Sequence, residues 1–134
     1  MKIVTKRGDK GKTSNLKGER ISKDSAEVQF LGDLDELQSF LGIIKEGKNS
    51  IEIEEIQFQI YHIMSGDPGD VELLDGYIKS LTIPDIKYFI LPSGWIHVCR
   101  TVARRAERSA VAIQHPSIQF LNRLSDYLYI LSFN

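Results

Sequence analysis

Cysteine is nearly absent: Cys99 stands alone, which excludes an intramolecular disulfide and any all-cysteine metal site. A reducing compartment is the simpler reading. Charge of one sign is also missing, since 17 basic residues face 18 acidic ones and leave a net charge of −1. General electrostatic attraction to nucleic acid or to an anionic membrane is therefore not expected, and any anion site must be local. No apolar run approaches the roughly 18 residues needed to cross a bilayer. The opening Met1-Lys2-Ile3-Val4-Thr5-Lys6-Arg7-Gly8 lacks the long apolar stretch of a signal peptide. The expectation is a soluble, cytoplasmic protein with no nucleic-acid or membrane partner.

Within 134 residues that are 42% apolar there is material for one modest core, and the chain reads as a single domain over 1–134. Residues 1–24 form an arm whose part from 5 to 24 is rich in Gly, Lys, Ser, Thr and Asp, without helical or strand periodicity. The helical bundle occupies 25–134. Val28, Leu31, Leu34, Leu37, Leu41 and Ile44 recur at spacings of three and four, predicting a helix that ends near Gly47. Ile53, Ile56, Ile60 and Ile63 predict a second, stopped by Gly66-Asp67-Pro68-Gly69. A third, shorter helix carries Leu74, Ile78 and Leu81. Pro84 and Pro92 bracket an irregular connection. Val98, Val102 and Ala106 mark a fourth helix from Trp95 to about Gln114. Phe120, Leu121, Leu124, Leu128 and Leu131 mark a fifth. The fold class is all-α, a five-helix bundle with an irregular N-terminal arm.

Three polar constellations stand out against this frame. The arm Thr5-Lys6-Arg7-Gly8-Asp9-Lys10-Gly11-Lys12-Thr13-Ser14 sets glycines among hydroxyls and lysines, a composition suited to wrapping backbone N–H groups and ammonium charges around phosphates. A flexible basic terminus has the same composition. Gly11-Lys12-Thr13 mimics the end of a Walker A loop, but Lys6 stands where that loop needs glycine, and the flanking parallel strand and helix are not predicted. Arg100, Arg104 and Glu107 fall at i, i+4 and i+7 on one side of the fourth helix, a face suited to a triphosphate or, equally in pattern, to solvated ion pairs. Arg105 and Arg108 point elsewhere and are expected in solvent. Asp33, Asp35 and Glu36 place carboxylates in a leucine-paced helix, where an arginine from another helix would be a natural partner; an exposed acidic edge is the alternative. On the fifth helix Asn122 and Asp126 form a polar stripe. His62, His97 and His115 show no metal-ligand spacing, and no nucleophilic triad can be assembled.

Taken together, the arm from Thr5 to Thr13, Gly32-Asp33-Leu34-Asp35-Glu36-Leu37, Phe89-Ile90-Leu91-Pro92, Arg100 to Arg108, and Asn122-Arg123-Leu124-Ser125-Asp126-Tyr127-Leu128 resemble the PduO-type ATP:cob(I)alamin adenosyltransferases, with all five blocks in the family order. The entry Trp95 to Cys99 is shorter than the family's, and Gly66 to Val71 is abbreviated. The resemblance implies an enzyme that moves the 5′-deoxyadenosyl group of ATP to the cobalt of cob(I)alamin, releasing triphosphate. It also implies a homotrimer with active sites at subunit interfaces, and a reductase or a B12-dependent enzyme as a further partner. By the same resemblance Thr5, Gly8, Asp9, Gly11, Thr13 and Lys23 belong to the ATP-binding arm, and Arg104, Glu107 and Asn122 hold ATP and Mg²⁺. Asp35 and Arg100 would pair across the subunit interface, and Phe89 would displace the lower axial ligand of the corrinoid. A non-catalytic ATP sensor and a plain structural bundle are the rival readings.

Overall fold

Each apolar series becomes a helix for an identifiable local reason. The computed structural model describes residues 1–134 as β1 (Lys12–Ser14), β2 (Arg20–Ser22), α1 (Ala26–Ile44), α2 (Ser50–Met64), α3 (Val71–Lys79), α4 (Trp95–Ala112) and α5 (Ile118–Leu131). Ser25 caps α1, its hydroxyl accepting from the Val28 amide at 3.3 Å, and Asp70 caps α3 in the same way through Leu73 at 3.2 Å. α4 instead begins at Gly94, whose φ of 90° lies in the region that side chains disfavour. Another glycine sets the short link between α2 and α3. A Cβ on Gly69 would come within 2.7 Å of the Phe120 ring, so only glycine lets this abbreviated turn lie against α5.

The helices pack in the order α2, α1, α4, α5, α3, which makes α4 the central member. Small side chains line its inner stripe: Cys99, Ala103, Ala106 and Ala110 are fully buried, and they allow close approach of neighbouring helices. The α2 series Ile53, Ile56, Ile60 and Ile63 and the α5 series Phe120, Leu121, Leu124 and Leu128 are buried throughout. No helix is long and apolar enough to cross a membrane.

Three sequence expectations change. The arm is not wholly irregular, because β1 and β2 form an antiparallel hairpin in which Thr13 faces Ile21 and Ser14 faces Arg20. Its turn is closed by Asn15, whose side-chain oxygen accepts from the Lys17 and Glu19 amides at 3.0 and 2.9 Å, and by Gly18 at φ 77°. Val28 and Leu31 are only half-buried, because they face this hairpin across a hollow instead of the core. Arg105 is not solvated as expected. Its guanidinium reaches α1 and pairs with Asp33 at 3.2 Å and with Glu36.

Candidate active site

The arm folds back on itself around residues 5 to 13. Lys6 adopts φ 60° and Gly11 φ 82°; the Asp9 amide donates to the Lys6 carbonyl at 3.3 Å and the Gly11 amide to the Gly8 carbonyl at 3.2 Å. Thr5 takes the Arg7 amide on its hydroxyl at 3.4 Å. Lys23 closes the loop from just beyond β2, its amide donating to the Gly11 carbonyl at 2.9 Å while its ammonium lies beside Gly8. A Cβ at Gly8 would stand 2.7 Å from Lys23 Nζ, so the ammonium occupies space that any other residue would take. Lys12 and Thr13 lie within β1 of an antiparallel hairpin and no helix starts at Thr13, in keeping with the expectation that the Walker A likeness is only apparent.

Thr13 and Asp35 line one hollow between the hairpin and α1, so the arm is brought to the acidic edge of that helix. Asp35 is exposed, whereas its neighbour Asp33 is buried and saturated: it accepts from Gln29 at 2.9 Å, from Arg105 at 3.2 Å and from the Ser109 hydroxyl. The arginine anticipated for this carboxylate cluster is thus Arg105, and it takes Asp33 and Glu36 and leaves Asp35 free for another contact.

On α4, Arg104 and Glu107 stand one turn apart with Arg104 Nη1 3.8 Å from Glu107 Oε2. That is too long for a hydrogen bond, and the Glu107 oxygen is buried without any hydrogen-bond partner. This carboxylate oxygen has the Arg104 guanidinium as its ionic neighbour and still lacks a hydrogen-bond donor. The oxygen would suit a hard cation such as Mg²⁺, which takes oxygen ligands and is often bound through one or two carboxylates. No cluster of three acidic, histidine or cysteine side chains offers a protein-only cage. Asn122 is exposed on α5, the helix packed beside α4. Asp9, on the arm, is also exposed.

Arg100 does not meet Asp35 within the chain. Its Nε donates to His97 Nδ1 at 3.2 Å, and its guanidinium lies 5.9 Å from the centre of the Tyr129 ring. His97 is buried, and burial together with the Arg100 charge lowers its pKa, which keeps the ring neutral and Nδ1 available as an acceptor. Tyr129 also borders a groove with Ile86, Tyr88 and Phe89, so one aromatic ring lies beside Arg100 and lines a hollow shared with the connection before α4. The Phe89 ring itself is fully exposed at 104%. Sequence reasoning missed His97 and Tyr129 as site neighbours. The signal was present: His97 precedes Arg100 and Arg104 by three and seven residues, and Tyr129 follows Asn122 by seven, so both share the faces already singled out.

The family model for cobalamin adenosyltransferase matches residues 3–134. The chain belongs to that family. Among other members, it is 36% identical to the corrinoid adenosyltransferase of Bacillus subtilis (strain 168), over 96% of this chain and 83% of the relative. It is 34% identical to the corrinoid adenosyltransferase MMAB of Bos taurus, over 98% of this chain and 70% of the relative. The first alignment runs over 162 positions against the 134 residues here, so part of the Bacillus subtilis sequence has no counterpart in this chain. Solved structures agree. A variant PduO-type ATP:corrinoid adenosyltransferase from Lactobacillus reuteri, complexed with cobalamin and ATP, superposes with a TM-score of 0.83 at 32% identity, covering 98% of this chain and 91% of that one. Another variant complexed with ATP gives 0.85 at 33% identity, covering 97% and 91%.

Proposed function

We propose that this protein transfers the 5′-deoxyadenosyl group of ATP to the cobalt of cob(I)alamin. The observation that carries the reading is the buried, hydrogen-bond-free oxygen of Glu107 beside the half-exposed Arg104 on the central helix. Such a pair suits a magnesium triphosphate. The nucleophilic cobalt attacks C5′, the C5′–O bond breaks with its electron pair leaving on triphosphate, and a Co–C bond forms. No protein nucleophile is needed, so catalysis reduces to positioning and to neutralising the leaving group. Mg²⁺ supplies part of that neutralisation when bound.

The chain's own residues divide this work. Thr5, Gly8, Asp9, Gly11, Thr13 and Lys23 wrap the phosphates; Arg104 presents a planar fork to them; Glu107 and Asn122 complete the nucleotide site. Asp35, exposed and unclaimed by Arg105, pairs with Arg100 of a second copy in a closed trimer, as cyclic symmetry permits. Phe89, standing free on its connection, covers the lower face of the corrinoid and excludes water and the axial base there. A reductase supplies the electron that makes cob(I)alamin. Anaerobic incubation with Mg-ATP and chemically reduced cobalamin, followed by the visible spectrum, should yield adenosylcobalamin with triphosphate as coproduct. ATP binding without any spectral change would make the protein a nucleotide sensor, and no ATP binding would leave a structural bundle.

A further inference from the structure

The arm contains a residue that none of the nucleotide contacts above requires, yet it is tied to more of the loop than any of them. Arg20 opens β2 opposite Ser14, and its side chain runs diagonally back across the hairpin. One guanidinium nitrogen donates to the Ser14 hydroxyl at 3.1 Å; the other donates to the Arg7 carbonyl at 3.0 Å and to the Lys12 carbonyl at 3.4 Å. These acceptors are the start of the Gly8–Gly11 turn, its end and the strand beyond it. Carbonyl oxygens repel a phosphate, and here two of them are held on a cation.

We propose that Arg20 is the positioning residue of the arm: its three-way clamp holds the loop from Arg7 to Lys12 in phosphate-binding form before ATP arrives. The inference rests on the ATP-binding reading above and adds the device that makes the arm competent. A loop ordered in advance does not lose that freedom on binding, so the affinity for ATP is higher than a free arm would give. Arginine is needed because a planar fork engages three acceptors in fixed directions, whereas an ammonium of equal charge on a flexible stem does not. Lys6 at φ 60° and Gly11 at φ 82° are the bends that the clamp keeps in place.

Arg20→Lys separates this role from simple charge. Hydrogen exchange of the full-length protein without ATP should show amides of residues 6–13 exchanging at least tenfold faster in the variant, with α1 unchanged. In the adenosylation assay the KM for ATP should rise at least fivefold, with kcat at saturating ATP within twofold of wild type. Ser14→Ala, which removes one of the three acceptors and keeps the arginine, should give a smaller change in the same direction. Wild-type exchange in the arm of Arg20→Lys would overturn the proposal, as would an arm already unprotected in the wild type. A fall in kcat with KM unchanged would also overturn it, since that pattern belongs to a direct phosphate contact. Because the exchange measurement needs no nucleotide, the two failures are distinguishable. No ATP binding with the exchange difference intact would sink the nucleotide reading on which the inference rests, whereas ATP turnover with no exchange difference would sink the clamp alone.

Discussion

Removing the Asp33 carboxylate should cost far more than removing its neighbour Glu36, although both pair with the same arginine. Asp33 has a side chain only 4% exposed and holds donors from Gln29 on its own helix and from Arg105 and Ser109 on α4. Breaking a buried ion pair by deleting one partner costs about 3–5 kcal/mol. Arg105 is itself 39% exposed and keeps Glu36 and water, which places Asp33→Ala nearer about 2–3 kcal/mol. Glu36 is 44% exposed, so Glu36→Ala falls in the surface class of about 0–1 kcal/mol. At about 2.1 cal/mol/K per residue, unfolding this chain carries an entropy of roughly 0.3 kcal/mol/K. The two variants should therefore lower Tm by roughly 7–10 °C and by no more than about 3 °C. Differential scanning calorimetry of both, with Arg105→Ala as the shared partner, measures this directly. Equal small shifts for Asp33→Ala and Glu36→Ala would refute the argument that α1 is pinned to α4 through a desolvated carboxylate.

Arg104→Lys should reduce kcat at least tenfold, equivalent to about 1.4 kcal/mol, while Tm stays put because the side chain is 49% exposed; wild-type turnover would return Arg104 to an ordinary solvated face. Phe89→Ala should leave Tm and ATP affinity unchanged, slow the reaction that starts from cob(II)alamin and a reductant, and regain much of its rate when pre-reduced cob(I)alamin is supplied. Equal loss under both conditions would remove the proposed corrinoid role. The pKa values of His97 and His115 are lowered by burial, with the Arg100 charge adding to the effect on His97, so the unfolded chain protonates first as pH falls. Stability should accordingly decline below about pH 6.5. Urea titrations of His97→Gln and His115→Gln should each show a shallower decline, and slopes identical to wild type would contradict the assignment.

Much of the bundle was legible because each helix repeats its apolar spacing long enough to fix a face. Ile53 to Ile63 and Phe120 to Leu131 needed nothing else. The hairpin escaped because strands of three residues are shorter than any alternation can reveal, and Arg20 lies in such a strand. Arg105 was misplaced for a tertiary reason: a helix packed on both sides, by α1 and by α5, turns flanking positions toward a neighbour that periodicity alone treats as water. Phe30 illustrates the same limit. It falls between Val28 and Leu31 of the apolar series, yet is buried, with its ring 4.7 Å from that of His115. As for the site, the resemblance named Arg104, Glu107 and Phe89, and spacing put His97 on the face of Arg100, but only the packing of α4 on α5 shows that Arg100 rests on His97 and Tyr129.

The fourth helix divides its labour by angle. Cys99, Ala103, Ala106 and Ala110 belong to the packed stripe, while Arg100, Arg104 and Glu107, interleaved with them, are the residues proposed for the site. Defective alleles in this one segment should then separate into two populations in a screen that scores abundance and activity independently. Substitutions on the alanine stripe should deplete the protein from the cell, whereas those at the half-exposed Arg104 should leave it abundant and inert. Adjacent codons, such as those of Ala103 and Arg104, would thus call for opposite remedies: a stabilising second-site change restores the first and does nothing for the second.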